Sequence, residues 1–456
     1  MIAAPASGHG KTSVATGLLR AFRGRGLAVS GHKVGPDYID PGYHALAAGR
    51  PARNLDPWLV GAELIAPLFV HGATTPAPAD LAIVEGVMGL FDGATGRPGF
   101  ASTAHVAALL QAPVVLVVDA MGMARSVAAL VHGFATFDPA VHLGGIILNR
   151  VGSARHAEIL TAALQETGVP VLGAIRRHEE LVTPSRHLGL IPAAERSADA
   201  ERTVAALGEV VGAGVDLDAV LRLARTAAPL AADPATMRGG MPTGVAQSGG
   251  RPVRIAVAGG AAFTFGYTEQ TELLEGGGAE VVRFDPVRDE QLPADVDGLV
   301  IGGGFPETHA DALSGNTAMR TAVAELVRSG APIAAECAGL LYLGKSLDGR
   351  PMCGVLDVDA AMTDRLTLGY REAVAPGGSA LVAEGARVHG HEFHRTACAP
   401  SAGGQPAWQW RADNATVAEG FVDRNVHASY LHLHWAGVPG IADRFVAACR
   451  TARSAR

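Results

Sequence analysis

Short apolar runs rich in β-branched residues alternate with longer segments in which apolar positions recur every three or four residues. The short runs are typical of buried parallel strands, and the longer spacing predicts amphipathic helices. Alternating strands and helices predict a doubly wound parallel sheet, which binds ligands at the carboxyl ends of its strands. In the first half of the chain the predicted strands are 81–85, 114–119, 145–149 and 169–174, with a helix at 14–25.

A second series of the same kind begins at Val253. Its predicted strands read VRIAVAGG, AEVVRF, GLVIGGG and APIAAEC, and they end in small or reactive residues. Between the two series, residues 227–251 lose periodicity and fill with Pro, Gly and small residues, which is typical of a linker. We therefore predict two doubly wound α/β domains, at 1–195 and 252–456, joined by a helical segment and linker at 196–251.

The composition favours an enzyme with a well-packed core. The 456 residues are 48% hydrophobic and 18% charged, with a net charge of −7. These values exclude a disordered chain and argue against a nucleic-acid-binding surface. We expect neither a membrane helix, which needs about 18 apolar residues in a row, nor a signal peptide. The four cysteines form no CxxC pair, so we expect a cytoplasmic protein without a zinc site or disulfide framework.

The first glycine-rich segment resembles a phosphate-binding loop. The chain begins MIAAPASGHGKT, so Gly10, Lys11 and Thr12 match the end of G-x-x-x-x-G-K-[ST], while Pro5 takes the first glycine position. Backbone amides would surround phosphate at a helix N-terminus, with Lys11 on the β/γ-phosphates and Thr12 on Mg²⁺. Only four residues precede the loop, so either the strand before it is brief or the true start lies upstream. The predicted ATP-binding residues are Ser7, Gly8, His9, Gly10, Lys11, Thr12 and Ser13.

Two acidic segments suit a magnesium site beside this loop. An apolar strand delivers Glu85 at its carboxyl end and a flexible loop leads on to Asp92, while KVGPDYIDP contains Asp37 and Asp40. Mg²⁺ takes few carboxylates and completes its shell with phosphate oxygens and water. We predict that Thr12, Glu85 and Asp40 hold Mg²⁺. Ordinary turn chemistry is the alternative explanation, above all for Asp37.

A second site centres on Cys337. In APIAAECAGLL an apolar strand runs into Cys337 and a helical stretch follows, which is the pattern of a nucleophile elbow. The helix N-terminus is expected to lower the pKa of the Cys337 thiol and favour the thiolate. We predict an oxyanion hole formed by backbone amides of Gly303 and Gly304, in VIGGGFPE, and of Ala338.

The base for this thiol is predicted in the segment ASYLHLHW. There His432 and His434 alternate along one strand edge, far along the chain from Cys337. His432 is the predicted proton acceptor. His434 is predicted to orient it, a role that a carboxylate has in other triads.

Together these segments resemble the cobyrinic acid (or hydrogenobyrinic acid) a,c-diamide synthase family, over essentially the whole chain. In that family a dethiobiotin-synthetase-like ATP domain is fused to a class I (triad) glutamine amidotransferase domain. The family's phosphate loop typically also lacks the first glycine. The resemblance rests on APASGHGKT, KVGPDYIDPGYH, VEGVMGLFDG, HLGL at 187–190, GGGFPE, AECAGLLYLG and SYLHLH.

The resemblance implies ATP- and glutamine-dependent amidation of the a and c acetate side chains of cobyrinate or hydrogenobyrinate, through an acyl phosphate, in cobalamin biosynthesis. It makes Cys337 the nucleophile and His432 its partner, and it places Asn149 and Arg150 near the adenine. His434 stands where many relatives carry glutamate and Ala335 replaces a glycine, so the third triad member stays open. Residues expected to meet metal, phosphate or substrate are Lys33, Asp37, Asp40, Glu85, Asp92, Tyr370 and Arg371.

Several alternatives stay open at this point. Cobyric acid synthase is disfavoured by KVGPDYIDP, whereas nickel-sirohydrochlorin a,c-diamide synthase is not excluded. A regulatory ATPase of the partitioning type with a non-catalytic amidotransferase-like domain is the alternative of another class, and dethiobiotin synthesis alone would leave the residues beyond about 250 without a use. We expect Mg²⁺, ATP, L-glutamine and the macrocycle as ligands, no nucleic acid and no membrane, with a homodimer as one option. The presence of cobalt and the order of amidation are left open.

Overall fold

A computed structural model describes residues 1–177, 185–186, 189–190, 192, 197–238, 251–412 and 415–456. It divides into two compact units, Met1–Thr236 and Met237–Arg456. His187 and Leu188, which belong to the HLGL segment, and residues 239–250 of the predicted linker lie outside the described residues. Among the helices of the described ranges, none combines the length and the hydropathy needed to cross a bilayer.

The first unit contains a parallel sheet that, within the described residues, has seven strands in the order β3-β2-β4-β1-β5-β6-β7. The first strand is only two residues long but lies at the centre of the sheet, where it pairs with β4 and β5. Two further short strands, β8 and β9, pair with each other. The strands are β1 Ile2–Ala3, β2 Val29–Val34, β3 Arg53–Leu55, β4 Leu81–Glu85, β5 Val114–Asp119, β6 Leu143–Val151, β7 Val171–Arg176, β8 Ser185–Arg186 and β9 Gly189–Leu190.

Helices connect these strands and cover the sheet. They are α1 Lys11–Gly24, α2 Asp40–Ala48, α3 Pro57–Val60, α4 Ile65–Thr74, α5 Thr103–Leu109, α6 Ser126–Thr136, α7 Ala154–Leu164, α8 Ser197–Gly214 and α9 Leu217–Ala224. α8 packs closely on α1 at two glycines. A Cβ on Gly17 would overlap Val211, and one on Gly208 would overlap Arg20. The helical segment after residue 196 therefore packs as part of the first unit, and the structure divides the chain after Thr236.

The second unit begins with another mainly parallel sheet, in the order β11-β10-β12-β13-β21-β20, where β20 is antiparallel to β21. Its helices are α10 Thr268–Gly276, α11 Ala310–Gly315, α12 Thr317–Arg328, α13 Ala338–Leu343 and α14 Ile441–Ala455. The strands of the unit are β10 Val253–Ala258, β11 Ala279–Phe284, β12 Gly298–Ile301, β13 Ile333–Glu336, β14 Ser346–Leu347, β15 Arg350–Pro351, β16 Asp359–Val374, β17 Arg387–Ala399, β18 Trp408–Ala412, β19 Ala415–Glu419, β20 Phe421–Asp423, β21 Val426–Ser429 and β22 His432–Leu433.

A second, mostly antiparallel sheet completes this unit. It runs β15-β14-β16-β17-β22, with β18 paired to β16 and β19. In the long strand β16 only Ala360 and Ala373 are buried, and β17 mixes buried, half-buried and exposed residues, so both strands lack the continuous apolar run by which we predicted the other strands. This sheet matters for function because β17 and β22 bring two histidines together, as described below.

Candidate active sites

The glycine-rich loop between β1 and α1 has the backbone of a phosphate-binding loop. Gly8 and Gly10 have φ angles of 85° and 94°, which glycine adopts without strain. A Cβ at position 10 would also overlap Nδ2 of Asn149, which donates a hydrogen bond to the carbonyl oxygen of His9 at 2.9 Å. The structure therefore places Asn149 against the loop, and its contact with adenine stays a prediction. Ser7 and Gly8 are exposed, so a ligand can reach the loop.

Lys11 lies beneath this loop at the start of α1. Its ammonium donates to the carbonyl oxygens of Ala6, at 3.2 Å, and Met88, at 2.5 Å. Burial, followed by the nearby charge of Lys33, lowers the pKa of Lys11 to about 8. The side chain is thus held at the loop as a cation that phosphate oxygens would stabilise.

The oxygen-bearing side chains of Thr12, Glu85 and Asp40 lie close together next to Lys11. The hydroxyl of Thr12 lies 2.6 Å from Oε1 of Glu85 and 3.2 Å from Oδ2 of Asp40. Lys33 donates to both carboxylates at 2.7 Å, and Nε2 of His44 lies 2.7 Å from Oε2 of Glu85. The cluster forms because Lys33 and Glu85 are paired neighbours near the carboxyl ends of β2 and β4, where a parallel sheet collects its functional groups.

Burial and charge act against each other in this cluster. Burial alone would raise the pKa of Glu85, but the ammonium of Lys33 and the hydrogen bond with His44 hold it below the usual range. The pKa of Lys33 is raised, since Asp40 and Glu85 outweigh its burial. Burial, then the charge of Asp37, raises the pKa of Asp40 to about 7. The cluster therefore contains one firmly ionised carboxylate and one that a further cation would help to ionise.

The hard oxygen ligands of Thr12, Glu85 and Asp40 fit Mg²⁺, which prefers one or two carboxylates together with phosphate oxygens and water. Within the described ranges, no group of three or more His, Cys, Asp or Glu side chains has the arrangement of a metal site. A magnesium ion here would therefore need the phosphates of a bound nucleotide to complete its shell. The role of these three residues as metal ligands stays a prediction.

Asp37 and Asp92 accept hydrogen bonds from nearby backbone amides in the structure. Oδ1 of Asp37 accepts hydrogen bonds from the amides of Ile39 and Asp40, at the start of α2. Asp92 accepts from the amide of Gly89 at 2.9 Å. The contacts of Asp37 are those of the turn-type alternative stated above, and direct roles of Asp37 and Asp92 toward phosphate or substrate stay predictions. Arg150 pairs with Asp119 at 2.6 Å.

In the second unit, Cys337 occupies a sharp turn between β13 and α13. Its φ of 48° and ψ of −100° are strained for a residue with a side chain, as expected of a nucleophile elbow. The Cys337 amide donates to the carbonyl of Ser429 on β21 at 2.7 Å, which anchors the turn. The nearby backbone amide of Ala338 acts to lower the pKa of the Cys337 thiol, against the effect of burial.

The protonation of this thiol differs from the sequence-based expectation. Burial, and next the charge of Glu307, raises the pKa of Cys337 rather than lowering it. The helix that follows has only six residues, so the dipole on which the prediction relied is short. The thiol therefore needs a base to remove its proton during the reaction, and His432 is the predicted base.

The predicted oxyanion hole needs one correction. The amide of Gly303 donates to the carbonyl of Phe265 at 3.1 Å, and Phe265 donates back at 3.0 Å. This antiparallel bridge occupies the Gly303 amide, so Gly303 is wrong as an oxyanion donor. The sequence could not show the pairing, because Phe265 lies in an irregular segment far from Gly303 along the chain. Gly304 and Ala338 stay as the predicted donors.

His432 on β22 is fully buried, and its polar neighbours include His391 and Glu336. It stands directly opposite His391 in the β17–β22 pair, and the two rings stack with centroids 5.0 Å apart. Its Nδ1 lies 3.6 Å from Oε2 of Glu336, the residue before the nucleophile. Its Cε1–Nε2 edge faces Gly303, because a Cβ there would overlap Cε1 and come within 3.3 Å of Nε2.

His434 lies in a different set of contacts from the one predicted. Its ring stacks on Tyr267, with centroids 4.4 Å apart, and its Nε2 lies 3.5 Å from Oε2 of Glu269, both side chains being fully buried. The hydroxyl of Tyr267 in turn lies 3.2 Å from Nε2 of His391. His434 thus contributes to the packing around the histidines, and a direct orienting role for it is not what these contacts favour.

Two family models match the chain. A CobQ/CobB/MinD/ParA nucleotide binding domain matches residues 1–191, and a CobB/CobQ-like glutamine amidotransferase domain matches residues 254–439. A hydrogenobyrinate a,c-diamide synthase of Streptomyces coelicolor is 58% identical, covering 99% of this chain and 97% of that protein. The chain belongs to the cobyrinate and hydrogenobyrinate a,c-diamide synthase family.

Other members of this diamide synthase family give the same result. One from Thermobifida fusca, also named a hydrogenobyrinate a,c-diamide synthase, is 54% identical and covers 99% of this chain and 97% of its own. A cobyrinate a,c-diamide synthase from Syntrophotalea carbinolica is 45% identical, covering 99% and 98%. The predicted family, the α/β fold class and the pairing of a nucleotide-binding with a glutamine amidotransferase domain are confirmed.

The substrate residues predicted in the amidotransferase unit of this diamide synthase lie on β16. Arg371 pairs with Glu392 at 2.6 Å, and its guanidinium lies 5.8 Å from the ring centroid of Trp410. Tyr370 stands opposite His391 in the β16–β17 register. Contact of Tyr370 or Arg371 with the substrate stays a prediction.

Sequence reasoning missed several polar residues that the structure brings into the two sites. His44 and Glu336 lie inside segments that already identified the diamide synthase family, KVGPDYIDPGYH and AECAGLLYLG. Their signal was a polar side chain next to a predicted ligand or nucleophile. His391 lies in HEFH, a segment that the sequence suggests only for the substrate pocket or the domain junction, and its proximity to His432 arises from strand pairing. Glu269 carried no local signal, because its contact with His434 arises from packing.

Replacing Gly303 with alanine tests the packing of the histidine. The added Cβ would overlap Cε1 of His432, whose ring stacks on His391, so the imidazole must shift to make room. Displacement of a catalytic base by about 1 Å costs roughly 10²-fold in rate, so we expect a loss of this size in glutamine-dependent turnover with ammonia-dependent amidation retained. The matched control is Gly315→Ala, where a Cβ meets nothing within 4 Å. Equal glutamine-dependent rates for the two variants would contradict the placement of His432.

Proposed function

We propose that this protein amidates the a and c acetate side chains of hydrogenobyrinate, using ATP and L-glutamine, in cobalamin biosynthesis. The observation that carries the proposal is one polypeptide holding a phosphate-binding loop with an acidic cluster and an elbow cysteine with a buried histidine. The choice of substrate is supported by the relatives, since those at 54–58% identity are named for hydrogenobyrinate and those at 41–45% for cobyrinate.

The first half-reaction activates a carboxylate. The carboxylate oxygen attacks the γ-phosphorus of ATP, which forms an acyl phosphate and releases ADP. Lys11 and the loop amides stabilise the charge on the transferring phosphoryl group. When bound, Mg²⁺ supplies further neutralisation of that charge, and Thr12, Glu85 and Asp40 are the residues that would hold it. Lys33 keeps the two carboxylates together and in place.

The second half-reaction releases ammonia. His432 accepts the thiol proton of Cys337, and the sulfur attacks the side-chain amide carbon of glutamine. The C–N bond breaks as ammonia leaves with a proton from the imidazolium, and water then hydrolyses the thioester to glutamate. The amides of Gly304 and Ala338 are the proposed donors to the oxyanion. Ammonia, which unlike ammonium is a nucleophile, displaces phosphate from the acyl phosphate to give the amide.

The chemistry bears on the compartment of the reaction and on its partners. The nucleophile must be reduced, and all four cysteines are free thiols in the structure, so we place the reaction in the reducing cytoplasm. The substrate is a polycarboxylate, and two rounds of the same cycle convert the a and c acetates. The proposed partners are therefore hydrogenobyrinate, ATP with Mg²⁺, and glutamine.

The proposal is tested by offering the protein Mg-ATP and glutamine with hydrogenobyrinate, cobyrinate or nickel-sirohydrochlorin in separate reactions. We expect mass spectrometry to show two carboxylates converted to amides, with the highest kcat/KM for hydrogenobyrinate. Amidation of nickel-sirohydrochlorin alone would contradict the substrate assignment. ATP hydrolysis without amidation of any macrocycle would favour the regulatory ATPase alternative.

A further inference from the structure

The residue that precedes the nucleophile carries a carboxylate beside the catalytic histidine. Glu336 is the last residue of β13, and its Oε2 lies 3.6 Å from Nδ1 of His432. The histidine is fully buried and the Glu336 side chain is 16% exposed. Catalytic hydrogen bonds are often long in a protein without substrate and shorten in the reacting complex. The two groups are therefore close enough to form one with a small rotation of either side chain.

The other edge of the His432 ring faces the glycine-rich loop after β12. Cε1 and Nε2 lie toward Gly303, in the loop that also carries the proposed oxyanion donor Gly304. The stacked ring of His391 fixes the plane of the imidazole from one side. A carboxylate at Nδ1 would keep the proton on that nitrogen and leave Nε2 as the acceptor, which is the tautomer that a base for a thiol needs.

The position that supplies a carboxylate in many triads is filled differently here. Two residues after His432 stands His434, and its ring is directed to a second carboxylate, Glu269, at 3.5 Å. The contacts described above lead from Glu269 to His432 through His434, Tyr267 and His391. Glu336, by contrast, contacts His432 directly.

We propose that Glu336 is the positioning residue of the glutaminase site and takes the part of the triad carboxylate, acting through His432. The assignment rests on the proposed function, because it concerns the release of ammonia from glutamine. It also joins the nucleophile and the carboxylate in one dipeptide, Glu336–Cys337. A shift of the elbow would therefore move both ends of the triad together.

The test replaces Glu336 with glutamine, which keeps the shape and removes the charge. We expect kcat for glutamine hydrolysis to fall about 10- to 100-fold with KM for glutamine little changed, because the loss affects the proton transfer and not binding. Glu336→Asp keeps a carboxylate and should lose less than Glu336→Gln. Amidation driven by ammonium chloride should be unchanged in both. A kcat within twofold of the parent protein for Glu336→Gln would overturn the assignment.

Two matched variants separate the assignment from its alternatives. Glu325→Gln removes an exposed carboxylate from α12 and should leave both activities unchanged. Glu269→Gln should cost glutamine hydrolysis less than Glu336→Gln does, and the reverse order would give the role to Glu269. Failure of the proposed function would be visible independently, as absence of macrocycle amidation even with ammonia, while glutamine hydrolysis would still report on Glu336.

Discussion

Replacing Cys337 with alanine should abolish glutamine-dependent amidation, by roughly 10³-fold or more, and leave ammonia-dependent amidation at the level of the parent protein. The size of the loss follows from covalent catalysis, since no other group in the proposed mechanism attacks the glutamine amide. Ammonia supplied in the medium bypasses that step. The measurement compares initial rates of amide formation with glutamine and with ammonium chloride at one pH.

The substitution removes a single sulfur atom from a strained turn that the backbone bond to Ser429 anchors, so the fold should persist. Cys353→Ala removes the same atom from a partly buried site of the same unit, and this control should retain both activities. A Cys337→Ala protein that still uses glutamine would show that the elbow assignment is wrong. Loss of both activities would mean that the thiol has a structural role.

Replacing Lys11 with methionine should reduce amidation by about 10²- to 10³-fold with either nitrogen source, because one charged donor to the transferring phosphoryl group is lost. Lys11 is a better target than Lys33. Removing Lys33 would leave Asp40 and Glu85 buried together without a cation, which destabilises a fold by about 3–5 kcal/mol. The measurement is kcat for ADP release, with Lys345→Met as control, since Lys345 is exposed and pairs with Asp357 and Asp359 at the surface.

The lowered pKa of Lys11 predicts that the binding of Mg-ATP depends on pH. Because the pKa of Lys11 is lowered to about 8 by burial and by Lys33, its ammonium is lost as the pH rises through about 8 in the protein without nucleotide. Only the ammonium attracts phosphate oxygens, so the dissociation constant for Mg-ATP should rise above that pH, by up to about tenfold per pH unit. Below about pH 7 the dissociation constant should rise again, because Asp40, whose pKa is raised to about 7, then carries a proton that the cation must displace. A Lys11→Met protein with the same pH profile would contradict the assignment.

The sequence predicted those parts of the fold whose strands are continuous apolar runs. The predicted strands 81–85 and 114–119 coincide with β4 and β5, and the predicted helix at 14–25 overlaps α1. The strand β2, VSGHKV, was missed because buried polar side chains interrupt it. One of these is Lys33, which the acidic cluster requires. The feature that hid the strand from prediction is therefore part of the site.

The candidate sites were predictable where their functional residues lie close together along the chain. The phosphate loop and the elbow cysteine were recognised from short motifs, and the structure shows the backbone angles that each motif requires. The bridge that occupies the Gly303 amide joins residues 38 positions apart in sequence, and the Glu269–His434 contact spans a larger separation. Such pairings form only when distant segments pack together, so no local sequence pattern indicates them.

In the proposed mechanism one polypeptide makes an acyl phosphate and supplies it with nitrogen released from glutamine. This mechanism is tested most directly by one reaction containing hydrogenobyrinate labelled with ¹⁸O in its acetate carboxylates, glutamine labelled with ¹⁵N in the side-chain amide, and Mg-ATP. We expect two ¹⁵N atoms in the product and, for each amide formed, one ¹⁸O atom in the released inorganic phosphate. Phosphate without ¹⁸O, or ¹⁸O in AMP, would contradict an acyl phosphate, and an unlabelled amide would contradict glutamine as the nitrogen source.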